Sequence, residues 1–130
     1  MDADGVIQLF AYGSLLPGEA HDSALRGCRC VGSVRTLHGF RLVELQQFPC
    51  MVSTGTRQVE GQLFHIDRKK LVELDRLKEN GRLFHRRTIE LESGEKAQTY
   101  LMYEDQVRGR RRLHVDAWKD RFKPRSARTL

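Results

Sequence analysis

Short runs of apolar residues, many of them β-branched or aromatic, alternate with polar turns along most of this chain. Runs of this kind predict β-strands. The predicted strands cover residues 6–12, two stretches within 31–45, residues 59–66, and a hairpin of 84–91 with 97–103. Residues 48–52 are also apolar, but Pro49 among them favours a sheet edge or a bend. Residues 53–57 are predicted to form a turn.

One segment has the periodicity of a helix. Leucines recur at intervals of three from Leu71 to Leu77, with Asp67 placed before them as an N-cap. Asn80-Gly81 then predicts the end of the helix. Only short helical turns are expected elsewhere, near residues 21–26 and 115–122. Many strands with one principal helix predict an α+β domain built on a small mixed β-barrel-like sheet.

Charge divides the chain into two parts. The 130 residues carry a net charge of +6, while residues 108–130 contain nine Lys or Arg and two Asp. We therefore expect a nearly neutral domain over residues 1–107 and a basic C-terminal segment over residues 108–130, packed on the domain or trailing from it. Such a segment can make weak contact with a polyanion, and it can equally remain solvated or dock on acidic groups of its own domain.

Composition also limits the compartment and the cofactors that we expect. The apolar stretches are far shorter than the ~20 residues that span a bilayer, and the first five residues lack the basic and apolar parts of a signal peptide. These features predict a cytoplasmic protein with no membrane contact. The three cysteines are odd in number, and Cys28 and Cys30 are too close in sequence for the usual zinc pair. We therefore expect reduced cysteines and no metal site.

Candidate chemistry is found where the first predicted strand ends, at Tyr12-Gly13-Ser14-Leu15. A glycine directly after a strand lets the backbone turn sharply and approach a ligand closely. The amide groups that follow can then point into one concavity and hold a carboxylate or an oxyanion. A strand followed by Gly-Ser can also be an ordinary turn, so this segment alone leaves both interpretations open.

An ordered set of short motifs resembles the γ-glutamylcyclotransferase-like family, which includes the AIG2-like proteins. The matching segments are FAYGSL at 10–15, LHGFRL at 37–42, Phe48-Pro49, VEGQLFHID at 59–67, LVELD at 71–75, and Tyr103. Each motif is common, but the ordered set over about residues 7–105 is fairly specific. The chain looks most similar to a short bacterial branch of that family.

The resemblance implies a γ-glutamyl cyclotransferase-like fold and a reaction that uses no cofactor. In such enzymes the α-amino nitrogen of a small γ-glutamyl amine or amino-acid compound attacks the γ-carbonyl, and 5-oxoproline is released. The resemblance implies that the substrate, a small γ-glutamyl or carboxylate-bearing ligand, is bound by Tyr12, Gly13, Ser14, Leu15, Pro49 and Tyr103.

The chain departs from the family at the catalytic base. The family has a glutamate three residues after the aspartate that is Asp75 here, but this chain has Lys78, with Glu79 beside it. Glu79 is the candidate base if the helix ends early, and otherwise it lies in water beside an arginine. Lys78 could be a base only if burial lowered its pKa, and we expect it to be solvated. The alternative function is therefore a non-catalytic member that binds a small carboxylate or a partner protein.

Overall fold

The structure, a computed structural model, describes residues 5–46 and 48–122. Eight strands and one α-helix make up the fold, together with 3-10 helices at Asp22–Leu25, Glu104–Val107 and Trp118–Asp120. The elements are β1 (Ile7–Ala11), β2 (Arg29–Arg35), β3 (Phe40–Glu44), β4 (Pro49–Arg57), β5 (Glu60–Ile66), α1 (Arg68–Leu77), β6 (His85–Glu90), β7 (Lys96–Leu101) and β8 (Arg111–Arg112). A mixed sheet with one principal helix confirms the predicted α+β class.

The eight strands form a single sheet in the order β2-β5-β1-β7-β4-β3-β8, with β6 paired to β7 beside this path. Within the described residues the two ends of the path, β2 and β8, do not pair with each other. The sheet is therefore not closed into a barrel. Helix α1 begins as the sequence predicts, because the Asp67 carboxylate accepts a hydrogen bond from the Lys70 amide at 2.8 Å.

The turn predicted over residues 53–57 is wrong, because these residues belong to β4. The pairing of β4 with β3 jumps from Arg41 opposite Val52 to Phe40 opposite Arg57. Four residues therefore bulge out of the ladder while the strand continues beyond them. The Ser-Thr-Gly-Thr composition of this stretch is typical of a turn. The strand is continued instead by the Gly55 amide, which donates a hydrogen bond to the Gly39 carbonyl at 3.2 Å, and by Arg57, which pairs with Phe40.

One edge of β7 is shared by two other strands. β1 runs parallel to β7 with Leu9 opposite Gln98, and β4 runs parallel to β7 with Met51 opposite Leu101. The antiparallel strand β6 pairs with β7 along its whole length and so occupies the other edge. β4 thus takes over on β7 where β1 leaves it, and the segment after β1 lies at this junction.

The described part of the basic segment is built into the domain. Arg111 and Arg112 form the short strand β8 on β3, while Leu113 and Trp118 are buried in the core. Both arginines also form ion pairs with the body, to Glu44 and Glu104 respectively. The polyanion contact stays a prediction, and residues 123–130 of the segment lie outside the described residues. No helix in the described part of the chain is long and apolar enough to cross a membrane.

Candidate functional site

The hydroxyl of Tyr12 joins the three strands at the junction. It donates a hydrogen bond to the Tyr100 carbonyl at 2.6 Å and accepts one from the Met51 amide at 3.0 Å. Burial raises the pKa of Tyr12 well above its ordinary value, so the phenol stays protonated and keeps both bonds. Tyr12 therefore fixes the position at which the chain leaves β1.

The loop after Tyr12 turns against Pro49. A methyl group at Gly13 would lie 2.5 Å from the Cγ atom of Pro49, so this close approach requires glycine. The loop's own backbone hydrogen bonds, Leu16 amide to Gly13 carbonyl at 2.9 Å and His21 amide to Ser14 carbonyl at 2.8 Å, use carbonyls of residues 13 and 14. None of the backbone bonds found among the described residues uses the amides of residues 13–15.

A small cavity brings together most of the residues that the sequence analysis selected for substrate binding. Its walls come from the end of β1 and residues 12–15, from Pro49, and from Lys78, Thr99 and Tyr100. About 10 Å³ of free space remains, roughly enough for one water molecule, since the Lys78 side chain extends into the cavity. Among the described residues, those that line this cavity include no aspartate or glutamate.

Lys78 is not the solvated lysine that the sequence analysis expected. It caps the C-terminal end of α1, and its Nζ atom lies 3.0 Å from the Ser14 Oγ atom and 4.7 Å from the centre of the Phe84 ring. Burial lowers the pKa of Lys78 to about 8, because the charged ammonium loses hydration there. The amine can therefore gain or lose a proton near neutral pH.

Glu79 lies on the other side of the helix end. It is exposed and forms an ion pair with Arg82, and it is not among the residues that line the cavity. Its φ of 50° is in the left-handed region, which lets the chain turn away directly after Lys78. Its predicted role as the base remains a prediction, which this position disfavours.

Tyrosines on and after β7 take different positions. Tyr100 lines the cavity and donates a hydrogen bond to Asp75 at 2.7 Å, and Asp75 is also paired with Arg86 at 2.8 Å. Tyr103, selected from the sequence, is 44% exposed and stacks on His85 outside the cavity lining. Tyr100 was not predicted from the sequence, although it lies in the same predicted strand as Tyr103 and is the tyrosine of that strand that is buried.

Metal binding has no structural support in the described part of the chain. No group of three or more His, Cys, Asp or Glu side chains there is placed to hold a metal ion. Burial raises the pKa of the nearby Cys50 thiol to about 12, so this thiol stays protonated. The chemistry available in the cavity is therefore that of a lysine amine, a serine hydroxyl and backbone amides.

Comparisons with known proteins agree with this architecture. A family model described as "Gamma-glutamyl cyclotransferase, AIG2-like" matches residues 9–120. The Gamma-glutamylcyclotransferase family protein YtfP of Escherichia coli is 28% identical over 117 residues, which is 90% of this chain and 100% of YtfP.

Solved structures show the same fold. The crystal structure of c4763, a uropathogenic E. coli-specific protein, has a TM-score of 0.78 at 19% identity and covers 88% of this chain and 94% of its own. An AIG2-like protein from Mus musculus has a TM-score of 0.67 at 19% identity, over 75% of this chain and 78% of its own.

Proposed function

This chain belongs to the γ-glutamyl cyclotransferase, AIG2-like family, and we propose that it releases 5-oxoproline from small γ-glutamyl amines or amino-acid compounds, with Lys78 transferring the protons. The observation that supports this most is the Lys78 amine inside the cavity, 3.0 Å from Ser14 and next to the loop of residues 12–15. It occupies the place on the helix where the family resemblance implies a base.

Proton transfer is the chemical need that Lys78 can meet. The α-ammonium of a γ-glutamyl compound must lose a proton before its nitrogen can bond to the γ-carbonyl carbon, and the leaving nitrogen must gain one. A lysine with a pKa of about 8 is partly neutral near pH 7. It can therefore accept a proton from the α-ammonium and supply a proton to the leaving nitrogen. The amides of residues 13–15 are donors for the substrate carboxylate or for the developing oxyanion.

Substrate entry requires the Lys78 side chain to move. The free space of about 10 Å³ beside it is too small for a γ-glutamyl group. A lysine has a flexible four-carbon stem, so its amine can swing aside while remaining within reach of the substrate.

A larger groove of about 500 Å³ could take the leaving group. Its lining is apolar at Leu45, Phe48, Leu83 and Met102 and polar at Gln46, Gln106 and Arg110. Phe48 directly precedes Pro49 of the cavity. We therefore place an apolar leaving group along this groove, and test compounds should include γ-glutamyl derivatives of leucine or phenylalanine.

The test is 5-oxoproline release from a panel of γ-glutamyl amides and dipeptides. Lys78→Met should lower kcat/KM by about 100-fold or more, since loss of a general base costs at least that much. Glu79→Gln, an exposed neighbour, should retain activity and serves as the control. The wild-type kcat/KM should rise with pH and level off above about 8, because the neutral amine is the active form. Absence of release from every compound, or full activity in Lys78→Met, would contradict the proposal.

A second candidate function is the binding of a small carboxylate without turnover. It is favoured by the lack of a carboxylate in the described cavity lining, together with an amine that is mostly protonated below pH 8. Calorimetry with glutamate or 5-oxoproline would distinguish the two functions by the sign of the pH effect. If the Lys78 ammonium only anchors a carboxylate, the binding affinity should fall as pH rises through about 8. If Lys78 is a catalytic base, kcat/KM should rise over the same pH range.

A further inference from the structure

Ser14 has two nitrogen atoms beside its hydroxyl oxygen. Lys78 Nζ lies 3.0 Å from Oγ, and His21 Nδ1 lies 3.4 Å from it. The two partners are 64 and 7 residues away in sequence, so the fold brings them together. A serine hydroxyl in contact with a lysine amine is the pairing in which the amine can remove the hydroxyl proton and make the oxygen a nucleophile.

The surroundings of the pair favour this chemistry. Within the described residues the cavity lining contributes no carboxylate that would hold Lys78 as the ammonium form. The Phe84 ring excludes water from one side of the amine, and its weak cation–π attraction for the ammonium does not offset the loss of hydration. The lowered pKa of Lys78 agrees with this geometry. Cys50, the buried thiol nearby, keeps its proton because burial raises its pKa to about 12.

The backbone around Ser14 is held in place and carries suitable donors. The Ser14 carbonyl accepts a hydrogen bond from the His21 amide at 2.8 Å, and the preceding Tyr12 is fixed by its bonds to β4 and β7. The amides of Ser14 and Leu15 adjoin the hydroxyl and are not used by the backbone bonds found among the described residues. Amides in this position can stabilise the oxyanion that forms when a serine attacks a carbonyl.

From this arrangement we infer that Ser14 and Lys78 form a nucleophile–base pair, and that the γ-glutamyl group is carried on Ser14 as an ester before it cyclises. Lys78 takes the hydroxyl proton as the Oγ–carbon bond forms, and returns it to the leaving nitrogen as the carbon–nitrogen bond breaks. The α-amine then attacks the ester carbonyl, and the Ser14 oxygen leaves. The α-ammonium loses two protons as the ring closes. Lys78 passes one of them to the departing Ser14 Oγ, and the other protonates the released amine.

The inference rests on the proposed function for its substrate, and a blocked substrate separates the two. N-acetyl-γ-glutamyl p-nitroanilide cannot cyclise, because its α-nitrogen is an amide. If Ser14 is the nucleophile, this compound should release a burst of about one equivalent of p-nitroaniline and leave an N-acetylglutamyl adduct on Ser14, identified by peptide mass spectrometry. Direct attack by the α-amine would give no release from it.

Variants of Ser14 provide the controls. Ser14→Ala should abolish the burst and lower 5-oxoproline release from unblocked γ-glutamyl p-nitroanilide by about 100-fold or more. Ser14→Cys should restore the adduct as a thioester, and Ser53→Ala, which removes an exposed hydroxyl, should behave as wild type. A small fluorophosphonate, which needs no recognition of the α-substituent, should label Ser14 in the wild type and label it much more slowly in Lys78→Met.

The outcomes distinguish the two proposals. Wild-type release of 5-oxoproline that persists in Ser14→Ala, without an adduct from either probe, would overturn the covalent route and leave the proposed function standing. An adduct on Ser14 without any 5-oxoproline would support the nucleophile and overturn the cyclotransferase. Absence of both the adduct and the fluorophosphonate label on Ser14 would overturn the inference whatever the unblocked substrate does.

Discussion

Lys78 places a positive charge where hydration is poor, and this has a cost for folding. Its pKa is about 8 in the folded protein and 10.5 in an exposed lysine. Between these two values the unfolded chain binds more protons than the folded one, so the free energy of unfolding increases as pH rises from about 8 to about 10.5. Below pH 8 the full cost is present. At ~1.4 kcal/mol per pKa unit it is at most about 3.5 kcal/mol, and the partial exposure of Lys78 reduces it to roughly 1–3 kcal/mol.

Replacement of this lysine should therefore stabilise the protein at neutral pH. We expect Lys78→Met to raise the free energy of unfolding by roughly 1–3 kcal/mol at pH 7, measured by urea denaturation. The advantage should shrink as pH rises from about 8 to about 10.5, because the folded protein then no longer carries the charge of Lys78. Lys69→Met, an exposed residue of α1, should show little change at either pH. An equal gain at both pH values would contradict a protonation cost at Lys78.

The same substitution would thus stabilise the protein while removing its proposed activity. Such opposite effects are typical of residues kept for function at a cost in stability. They also separate a lysine kept for function from one kept for its cation–π contact with Phe84, because loss of a favourable contact would lower stability.

At the scale of elements, the end of α1 depends on the conformation of Glu79. A left-handed φ costs an L-residue roughly 1–2 kcal/mol, and glycine avoids this cost while losing more chain entropy on folding. Glu79→Gly should therefore raise the free energy of unfolding by about 0.5 kcal/mol and leave 5-oxoproline release unchanged, as tested by thermal melting and by product assay.

Glu73→Gly is the matched control for this change. Glu73 also forms an i,i+3 ion pair, with Lys70 at 2.7 Å, but it lies within α1. Glycine there should cost about 1 kcal/mol. A large loss of activity in Glu79→Gly would revive Glu79 as the base and argue against Lys78.

The junction of β1, β4 and β7 depends on a single phenol. Tyr12→Phe should lower the free energy of unfolding by roughly 1–3 kcal/mol, because it leaves the Met51 amide and the Tyr100 carbonyl without this partner. Urea denaturation would measure the loss. Tyr103→Phe, which changes a tyrosine that is 44% exposed, should alter stability by less than about 0.5 kcal/mol. Equal effects of the two variants would mean that the buried bridge contributes nothing specific.

Local pattern was enough to predict most elements, and the reason is visible in β1 and α1. Apolar residues at 9–11 and leucines at 71 and 74 are buried, so the hydrophobic period follows the structure directly. The loop at Gly13 was predicted from the motif that follows the first strand, and Pro49 was selected through the family resemblance; both line the cavity.

The features that the sequence did not indicate depend on contacts between residues that are far apart in the chain. The orientation of Lys78 depends on a left-handed residue after it and on a serine 64 positions earlier, neither of which leaves a periodic signal. Residues 53–57 have turn composition, but Arg57 returns to pair with Phe40 of β3 after the bulge. Tyr100 lines the cavity from β7, whereas Tyr103 follows the end of that strand and stacks on His85.

At the scale of the whole molecule, the basic segment contributes to the same core as the strands. Trp118 is 2% exposed and packs in a cluster with Phe10, Leu42 and Leu63, and its indole donates a hydrogen bond to Glu19 at 3.2 Å. The family match, which extends to residue 120, also runs past the boundary expected at 107.

Trp118→Ala should therefore destabilise the whole domain. We expect a loss of about 3–5 kcal/mol in the free energy of unfolding, from the cavity that removal of a buried tryptophan leaves. Phe122→Ala, four residues later and 81% exposed, should change stability by less than about 0.5 kcal/mol. If Trp118→Ala unfolds at the wild-type urea concentration, the segment after residue 107 is not part of the cooperative unit.

Because β1 pairs with β7, the first strand is synthesised well before the strand that covers its second edge. Tyr12 leaves the ribosome before its hydrogen-bond acceptor, the Tyr100 carbonyl, which is synthesised 88 residues later. Lys78 likewise follows Ser14 by 64 residues. Strand β1 must wait for β7 with one edge unpaired, and an unpaired strand edge is open to contact with other chains. Thr99 and Tyr100 of β7 line the cavity, so the cavity can form only after β7 has been synthesised.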